Sequence, residues 1–171
     1  MSEDKLSEST TRLRYIDPAL KESGWDPEKL IAEYPITKGQ IIPDGKSGTR
    51  NKPLKADYIL QLGANYKVAV VEAKAYDEPH DLGMQQALRY AEMLNLKFAY
   101  STNGQKIEEY DFITKQQKII DRYPTPQELL ERVKGHLDFD DEKMDVLLDP
   151  LDRKTNDPSG KPRIARYYQE I

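Results

Sequence analysis

The sequence predicts an α/β fold built around a mixed central sheet of four or five strands, with helices on both faces. Short apolar runs alternate with segments of helical periodicity, and two pairs of neighbouring runs are joined by turn residues, Gly63-Ala64-Asn65 and Asn103-Gly104. Strand pairs interspersed with helices are typical of a mixed sheet covered by helices. The 171 residues are enough for one domain with a buried core.

Strands are predicted where apolar and β-branched residues cluster between turn signals. The two strongest patterns flank the turn at 63–65, and the next pair flanks Asn103-Gly104, the strongest short hairpin signal in the chain. The predicted strands are, in chain order, 30–34, 40–42, 57–62, 66–75, 98–102, 106–110 and 115–120.

Helices are predicted from apolar residues at helical spacing and from capping residues. Leu13, Ile16 and Leu20 indicate an N-terminal helix, and Asp17-Pro18 indicates that a second helix begins there. Thr125-Pro126-Gln127-Glu128 is a capping box with proline at the first helical position. The predicted helices are 6–16, 17–22, 84–94 and 126–134.

The composition excludes several classes of protein. The chain has 26 basic and 30 acidic residues, a net charge of −4, so any contact with nucleic acid must come from a local patch. It has no cysteine and only two histidines, which excludes disulfides and cysteine-type zinc sites and disfavours other zinc sites. No apolar run approaches about 18 residues and no signal-peptide core is present, so a cytoplasmic protein without membrane contact is expected.

An acidic residue and a Glu-x-Lys triplet lie on the two strongest predicted strands. Asp57 opens one strand, and Glu72-Ala73-Lys74 closes the next, after the apolar run at 68–71. Because side chains alternate along a strand, Glu72 and Lys74 project from the same face. This residue set is typical of metal-dependent phosphodiester cleavage, although a Glu-x-Lys pair alone is more often an exposed ion pair.

Phosphodiester cleavage requires neutralised charge, an activated water and a stabilised leaving oxygen. We expect Asp57 and Glu72 to bind Mg²⁺, with the backbone carbonyl of Ala73 as a further ligand, because hard cations prefer oxygen. Lys74 is expected to position or activate the water, or to stabilise charge on the phosphate.

Two further groups are candidates for contact with phosphate. Gln86 and Tyr90 lie four residues apart, so they share one face of the helix at 84–94 and would support the site or the phosphate. The loop at 44–55 carries basic residues that are candidates for DNA contact. These residues are Lys46, Arg50, Lys52 and Lys55. Both patterns also fit plain structural roles, as a half-buried helix face and as a solvated loop.

In this order and spacing, Asp57, Glu72-x-Lys74 and Gln86-x-x-x-Tyr90 resemble the PD-(D/E)xK nuclease superfamily, in its Gln-x-x-x-Tyr subgroup. Over 7–135 the chain is also similar to the N-terminal endonuclease domain of type I restriction enzyme R subunits. The segments that carry this similarity are Thr11-Arg12, Tyr15–Leu20, Gly24-Trp25, Glu33–Ile36, Ala56–Leu60, Val70–Lys74, Gln85–Ala91 and Ser101–Gly104.

Two positions qualify the resemblance. Ala56 stands where the proline that names the superfamily is expected. Many members carry an acidic residue on the first helix, and Glu8 is the nearest match. Glu8 is therefore a further candidate metal ligand.

The resemblance implies a restriction-endonuclease-like fold, with a nuclease domain at 1–136 and a linker or peripheral segment at 137–171. R subunits continue into an ATP-driven translocase, and Arg166-Tyr167-Tyr168-Gln169 is similar to the segment just upstream of that motor. The chain has no Gly-x-x-x-x-Gly-Lys-[Ser/Thr] phosphate loop. We therefore expect a fragment cut where the motor begins, with ATP required only by the missing part.

The resemblance also implies partners and leaves alternatives open. The implied partners are double-stranded DNA and the modification (M) and specificity (S) subunits. The implied function is a Mg²⁺-dependent DNA endonuclease domain. The alternatives are a catalytically inactive nuclease-like module for subunit assembly or DNA gripping, and a stand-alone type II-like or repair nuclease. The inactive module is favoured if Asp57 and Glu72 point to opposite faces, because they could not then share a cation.

Overall fold

The computed structural model describes residues 6–36, 41–42, 49–50, 53–137, 148, 155–156 and 162–163. The strands are β1 (Leu30–Pro35), β2 (Ile41–Ile42), β3 (Thr49–Arg50), β4 (Lys55–Leu62), β5 (Tyr66–Ala73), β6 (Phe98–Thr102), β7 (Ile107–Asp111), β8 (Gln116–Ile120), β9 (Thr155–Asn156) and β10 (Pro162–Arg163). Six of them form the main sheet, in the order β1-β4-β5-β6-β7-β8. The expected α/β class is confirmed, but the expected count of four or five strands is wrong.

The sheet is mixed because a single neighbouring pair in it, β5 and β6, runs parallel. The pairs β1–β4, β4–β5, β6–β7 and β7–β8 are antiparallel. A parallel pair needs a crossover rather than a hairpin, and the segment between β5 and β6 contains a helix. β5 and β6 lie at the centre of the sheet and are buried for most of their length, which explains their nearly continuous apolar sequences.

The helices are α1 (Glu8–Thr11), α2 (Asp17–Glu22), α3 (Met84–Leu94) and α4 (Pro126–Leu137), and a π-helical segment (Arg12–Ile16) joins α1 to α2. The two predicted N-terminal helices are thus one continuous helical stretch. Pro18 has no N–H to donate, and the wider π turn before it carries the chain through without a new cap.

Helices cover both faces of the sheet. On one face, Ile16, Leu20, Leu129 and Val133 of the N-terminal helices and α4 pack on alternate residues of the central strands. On the other face, α3 packs on residues such as Ile59 and Val70. None of the helices in the described part of the chain combines the length and apolar character needed to cross a membrane.

One described residue of the predicted peripheral segment touches the sheet. The Ala64 N–H in the β4–β5 turn donates to the Leu148 carbonyl at 2.8 Å. Gly63 has a positive φ of 59°, and a Cβ there would lie 2.2 Å from the same carbonyl oxygen. Glycine at 63 therefore permits this close approach. The division of the chain at residue 137 stays a prediction.

Candidate active site

The site begins where the ladder between β4 and β5 ends. The pairing at Tyr58 and Val71 is followed by contacts in which carboxylates replace backbone acceptors. The Ala73 N–H donates to Asp57 Oδ2 at 2.8 Å, and the Asp57 N–H donates to Glu72 Oε1 at 3.4 Å. Each carboxylate is therefore anchored on the neighbouring strand.

Both carboxylates lie on the face of the sheet that α3 covers. Ile59 and Val70 belong to the apolar cluster packed on α3. Asp57 lies two residues before Ile59 and Glu72 two residues after Val70, so alternation places both on that face. The structure thus brings together the two acidic residues that the sequence indicated.

Glu72 is almost fully buried, with 1% of its surface exposed. Burial, and then the charge of Asp57, raises its pKa to about 8, while Lys74 and the Asp57 N–H act in the opposite direction. A carboxyl group kept protonated near neutral pH without an ion is a good candidate for a cation ligand, because a divalent cation would replace its proton.

Lys74 lies on the same face of the sheet as Glu72, two residues further along the chain. The backbone N–H of Lys74 donates to the Thr102 carbonyl at 2.8 Å, so the β5–β6 ladder continues by one residue. The Lys74 Nζ lies 4.0 Å from Glu8 Oε2. Partial burial and then the charge of Asp57 raise the pKa of Glu8, whereas the Lys74 ammonium lowers it. Glu8 therefore lies at the site, with Lys74 as its described partner, and its role as a metal ligand stays a proposal.

Gln86 and Tyr90 form the wall on the α3 side. Gln86 Nε2 donates to the Tyr90 hydroxyl at 3.1 Å, and Tyr90 is 4% exposed. Burial raises the pKa of Tyr90, and the charges of Glu72 and Asp57 raise it further. The phenol is therefore within electrostatic range of both carboxylates.

The predicted DNA-contacting loop is only partly described. Lys46 and Lys52 lie outside the described residues, and of Arg50 only the backbone is described, in β3. Lys55 begins β4, and its Nζ lies 3.6 Å from Glu33 Oε2. DNA contact by this loop stays a prediction.

Two residues at the site had no predicted role. Gly83 precedes α3, where a Cβ would lie 3.1 Å from Glu72 Cβ and 3.2 Å from Lys74 Cε. Arg12, in the π-helical segment, contacts Asp57. No local pattern identifies either one, because both contacts join segments that are distant in sequence.

The donor set at the site fits Mg²⁺. Within the described residues, no three or more His, Cys, Asp or Glu side chains are grouped as if to hold a metal ion. Mg²⁺ commonly takes one or two carboxylates and completes its shell with water and substrate phosphate. Asp57, Glu72 and the carbonyl of Ala73 would be the protein ligands in such an arrangement.

Comparison with known proteins supports the same family that the motifs indicated. No family model matches the chain. The endonuclease subunit of the type I restriction enzyme EcoAI from Escherichia coli is 29% identical, over an alignment that covers 96% of this chain and 20% of that protein. A solved fragment described as an HsdR subunit of a type I restriction enzyme from Vibrio vulnificus YJ016 aligns with a TM-score of 0.82 and 42% identity.

This chain is similar to the endonuclease subunits of type I restriction enzymes. The Vibrio fragment covers 87% of it, and the aligned region is 29% of that chain. This chain spans about a fifth of the Escherichia coli relative (20%) and under a third of the solved Vibrio chain (29%). The fold of the solved fragment agrees with the mixed six-stranded sheet and its helices.

If this site cleaves DNA as part of a restriction enzyme, we predict that Gly83→Ala will lower that cleavage about tenfold or more. The new Cβ would lie 2.9 Å from Ser101 Oγ as well as against Glu72 and Lys74. Overpacking of this kind costs about 1–3 kcal/mol and displaces neighbouring side chains. Plasmid cleavage and thermal unfolding would measure the two effects.

Gly135→Ala is the matched control for Gly83→Ala. Gly135 lies in α4, and a Cβ there would meet nothing within 4 Å. Alanine in an open helical position stabilises by up to about 1 kcal/mol, and cleavage should not change. Equal cleavage by the two variants would show that Gly83 does not define the shape of the site.

Proposed function

We propose that this chain is the Mg²⁺-dependent DNA endonuclease unit of a type I restriction enzyme R subunit. In the complete enzyme it would cut double-stranded DNA after ATP-driven translocation by a motor that lies elsewhere in the polypeptide. The M and S subunits would recognise the site, and the complex would act in the cytoplasm. The observation that carries the proposal is the placing of Asp57, Glu72 and Lys74 on one face at the ends of β4 and β5.

Each residue would have a distinct part in hydrolysis. A bound Mg²⁺ would neutralise charge on the phosphate and polarise the attacking water. Asp57 and Glu72 would hold the ion, and their anchoring across the two strands keeps the carboxylates from reorienting. The Lys74 ammonium would orient the water or stabilise negative charge that develops on the phosphate.

Gln86 and Tyr90 would act on the substrate side. Their hydrogen bond fixes an amide and a phenol at the same wall: the Tyr90 hydroxyl accepts from the Gln86 amide, and the O–H of the uncharged phenol can donate to another group at neutral pH. These groups would orient a phosphate oxygen or support a metal-binding carboxylate. Both roles avoid additional negative charge beside the phosphate.

The proposal predicts that the chain binds a divalent cation through Asp57. At pH 8, titration with Mg²⁺ or Mn²⁺ in a calorimeter should show binding, and Asp57→Asn should weaken it at least about tenfold, because the neutral amide loses the charge attraction. Circular dichroism would check that the variant folds. Unchanged binding by Asp57→Asn would contradict the proposed site, and no binding by the wild type would favour the non-catalytic module.

A further inference from the structure

Arg12 makes four described hydrogen bonds near the site, two of them to Asp57. Its Nη1 lies 3.4 Å from Asp57 Oδ1, and its Nη2 lies 3.5 Å from the Asp57 carbonyl. The other carboxylate oxygen, Oδ2, accepts from the Ala73 N–H at 2.8 Å. Asp57 is therefore held from two sides, by Arg12 and by β5.

Arg12 is itself fixed by partners other than Asp57. Its Nε donates to the Tyr58 hydroxyl at 3.0 Å, and the guanidinium carbon lies 4.6 Å from the centre of the Tyr58 ring. Its Nη1 also pairs with Glu33. Four of the five N–H donors of a guanidinium are thus engaged within the protein. Such a group is suited to orienting Asp57 rather than to binding a phosphate.

The backbone is irregular both in the segment that carries Arg12 and at its partner Glu33. In a regular α-helix, positions five apart lie about 140° from each other around the axis. The π-helical segment brings Arg12 and Asp17 closer in direction, and both contact the Tyr58 hydroxyl, with Asp17 Oδ1 accepting at 2.5 Å. Glu33, in β1, has a positive φ of 54°. Uncommon backbone geometry of this kind concentrates at functional sites.

We infer that Arg12 is a positioning residue that sets the orientation of Asp57 for binding the divalent cation. This inference rests on the proposed function. A positioning role for Arg12 differs from a purely electrostatic one, because a nearby positive charge by itself would repel the cation. Removal of Arg12 should then tighten cation binding if charge dominates, and weaken it if positioning dominates.

The test compares Mn²⁺ affinities at pH 8 for the wild type, Arg12→Gln, Arg12→Lys and Asp57→Asn. We expect Arg12→Gln to weaken binding about tenfold, the lower end of the range for residues that orient metal ligands. Arg12→Lys should not restore it, because an ammonium cannot reproduce the planar fork. In the assembled enzyme, raising Mg²⁺ about tenfold should restore cleavage by Arg12→Gln.

Two further variants keep the test decisive. Arg122→Gln is the matched control, since Arg122 pairs with the exposed Glu128, and its affinity should equal that of the wild type. Glu33→Gln loosens Arg12 without touching Asp57 and should weaken binding less than Arg12→Gln, which covers the case that Arg12→Gln fails to fold. Unchanged or tighter Mn²⁺ binding by folded Arg12→Gln, with weak binding by Asp57→Asn, would overturn the positioning role of Arg12 and leave the proposed function standing. Unchanged binding by Asp57→Asn would instead overturn the proposed function.

Discussion

Lys74→Ala is expected to lower DNA cleavage by the assembled restriction enzyme about a hundred- to a thousand-fold while ATP hydrolysis continues at the rate of the wild type. Lys74 lies on the same face as the two carboxylates, and its side chain is 16% exposed. Loss of one well-placed group that stabilises charge in a transition state has an effect of this size. ATP hydrolysis would belong to a different part of the polypeptide, so it should not depend on Lys74.

The measurement is the conversion of supercoiled plasmid to nicked and linear forms, with ATP hydrolysis followed in the same reactions. Lys29→Ala is the matched control, because Lys29 is a partly exposed lysine (39%) with a surface partner, Asp26, at 3.8 Å. Such surface pairs contribute little to stability, so both activities should be unchanged. If Lys74→Ala cleaved DNA as the wild type does, the catalytic role would be wrong and the non-catalytic module would be favoured.

The elements were predictable where the sequence pattern is local. The helix Met84–Leu94 and the strand Phe98–Thr102 have the predicted bounds, because one depends on helical periodicity and the other on a continuous buried run. The number of strands in the sheet was less accessible. Each strand of the main sheet was predicted as a segment, including β8 at 115–120, but a local pattern does not report which segments join one sheet. β8 is a mostly exposed edge strand of sequence Gln-Gln-Lys-Ile-Ile, so its apolar pattern gives little indication that it pairs with β7.

In the candidate site, too, only the residues with a local sequence pattern were predictable. Asp57 and Glu72 carry a local signal, because each lies at the end of a strong apolar strand. Arg12 and Gly83 carry none, since their proximity to the carboxylates depends on how the N-terminal helix and α3 approach the sheet. A sequence pattern of period 2 or 3.6 reports the face of an element, but it does not report which distant element covers that face.

The expected effect of Glu72→Gln on stability is unusual for a buried site, because the substitution should stabilise the chain increasingly as pH rises. The pKa of Glu72 is about 8 in the folded chain, against an ordinary value of 4.5. Between these values the folded chain keeps a proton that the unfolded chain has lost. Unfolding then releases a proton, so the wild type loses stability as pH rises from about 4.5 to about 8.

Urea unfolding without metal at pH 5, 6, 7 and 8 would measure this effect. One pKa unit corresponds to about 1.4 kcal/mol, so the advantage of Glu72→Gln should grow by about 2–4 kcal/mol from pH 5 to pH 8. Glutamine keeps an oxygen that can accept the Asp57 N–H, so the comparison isolates the charge. Contributions from titrating groups that do not interact with Glu72 cancel in the difference between the two proteins.

Mg²⁺ at pH 8 should change the difference in stability between the wild type and Glu72→Gln. The ion should stabilise the wild type, because it removes the cost of the buried Glu72 charge and binds the folded state alone. It should stabilise Glu72→Gln much less. A pH-independent difference between the two proteins would show that Glu72 is already ionised without metal. Equal stabilisation of both by Mg²⁺ would place the cation elsewhere. The predicted pattern would instead mean that the chain keeps a destabilising carboxylate because the bound cation needs it.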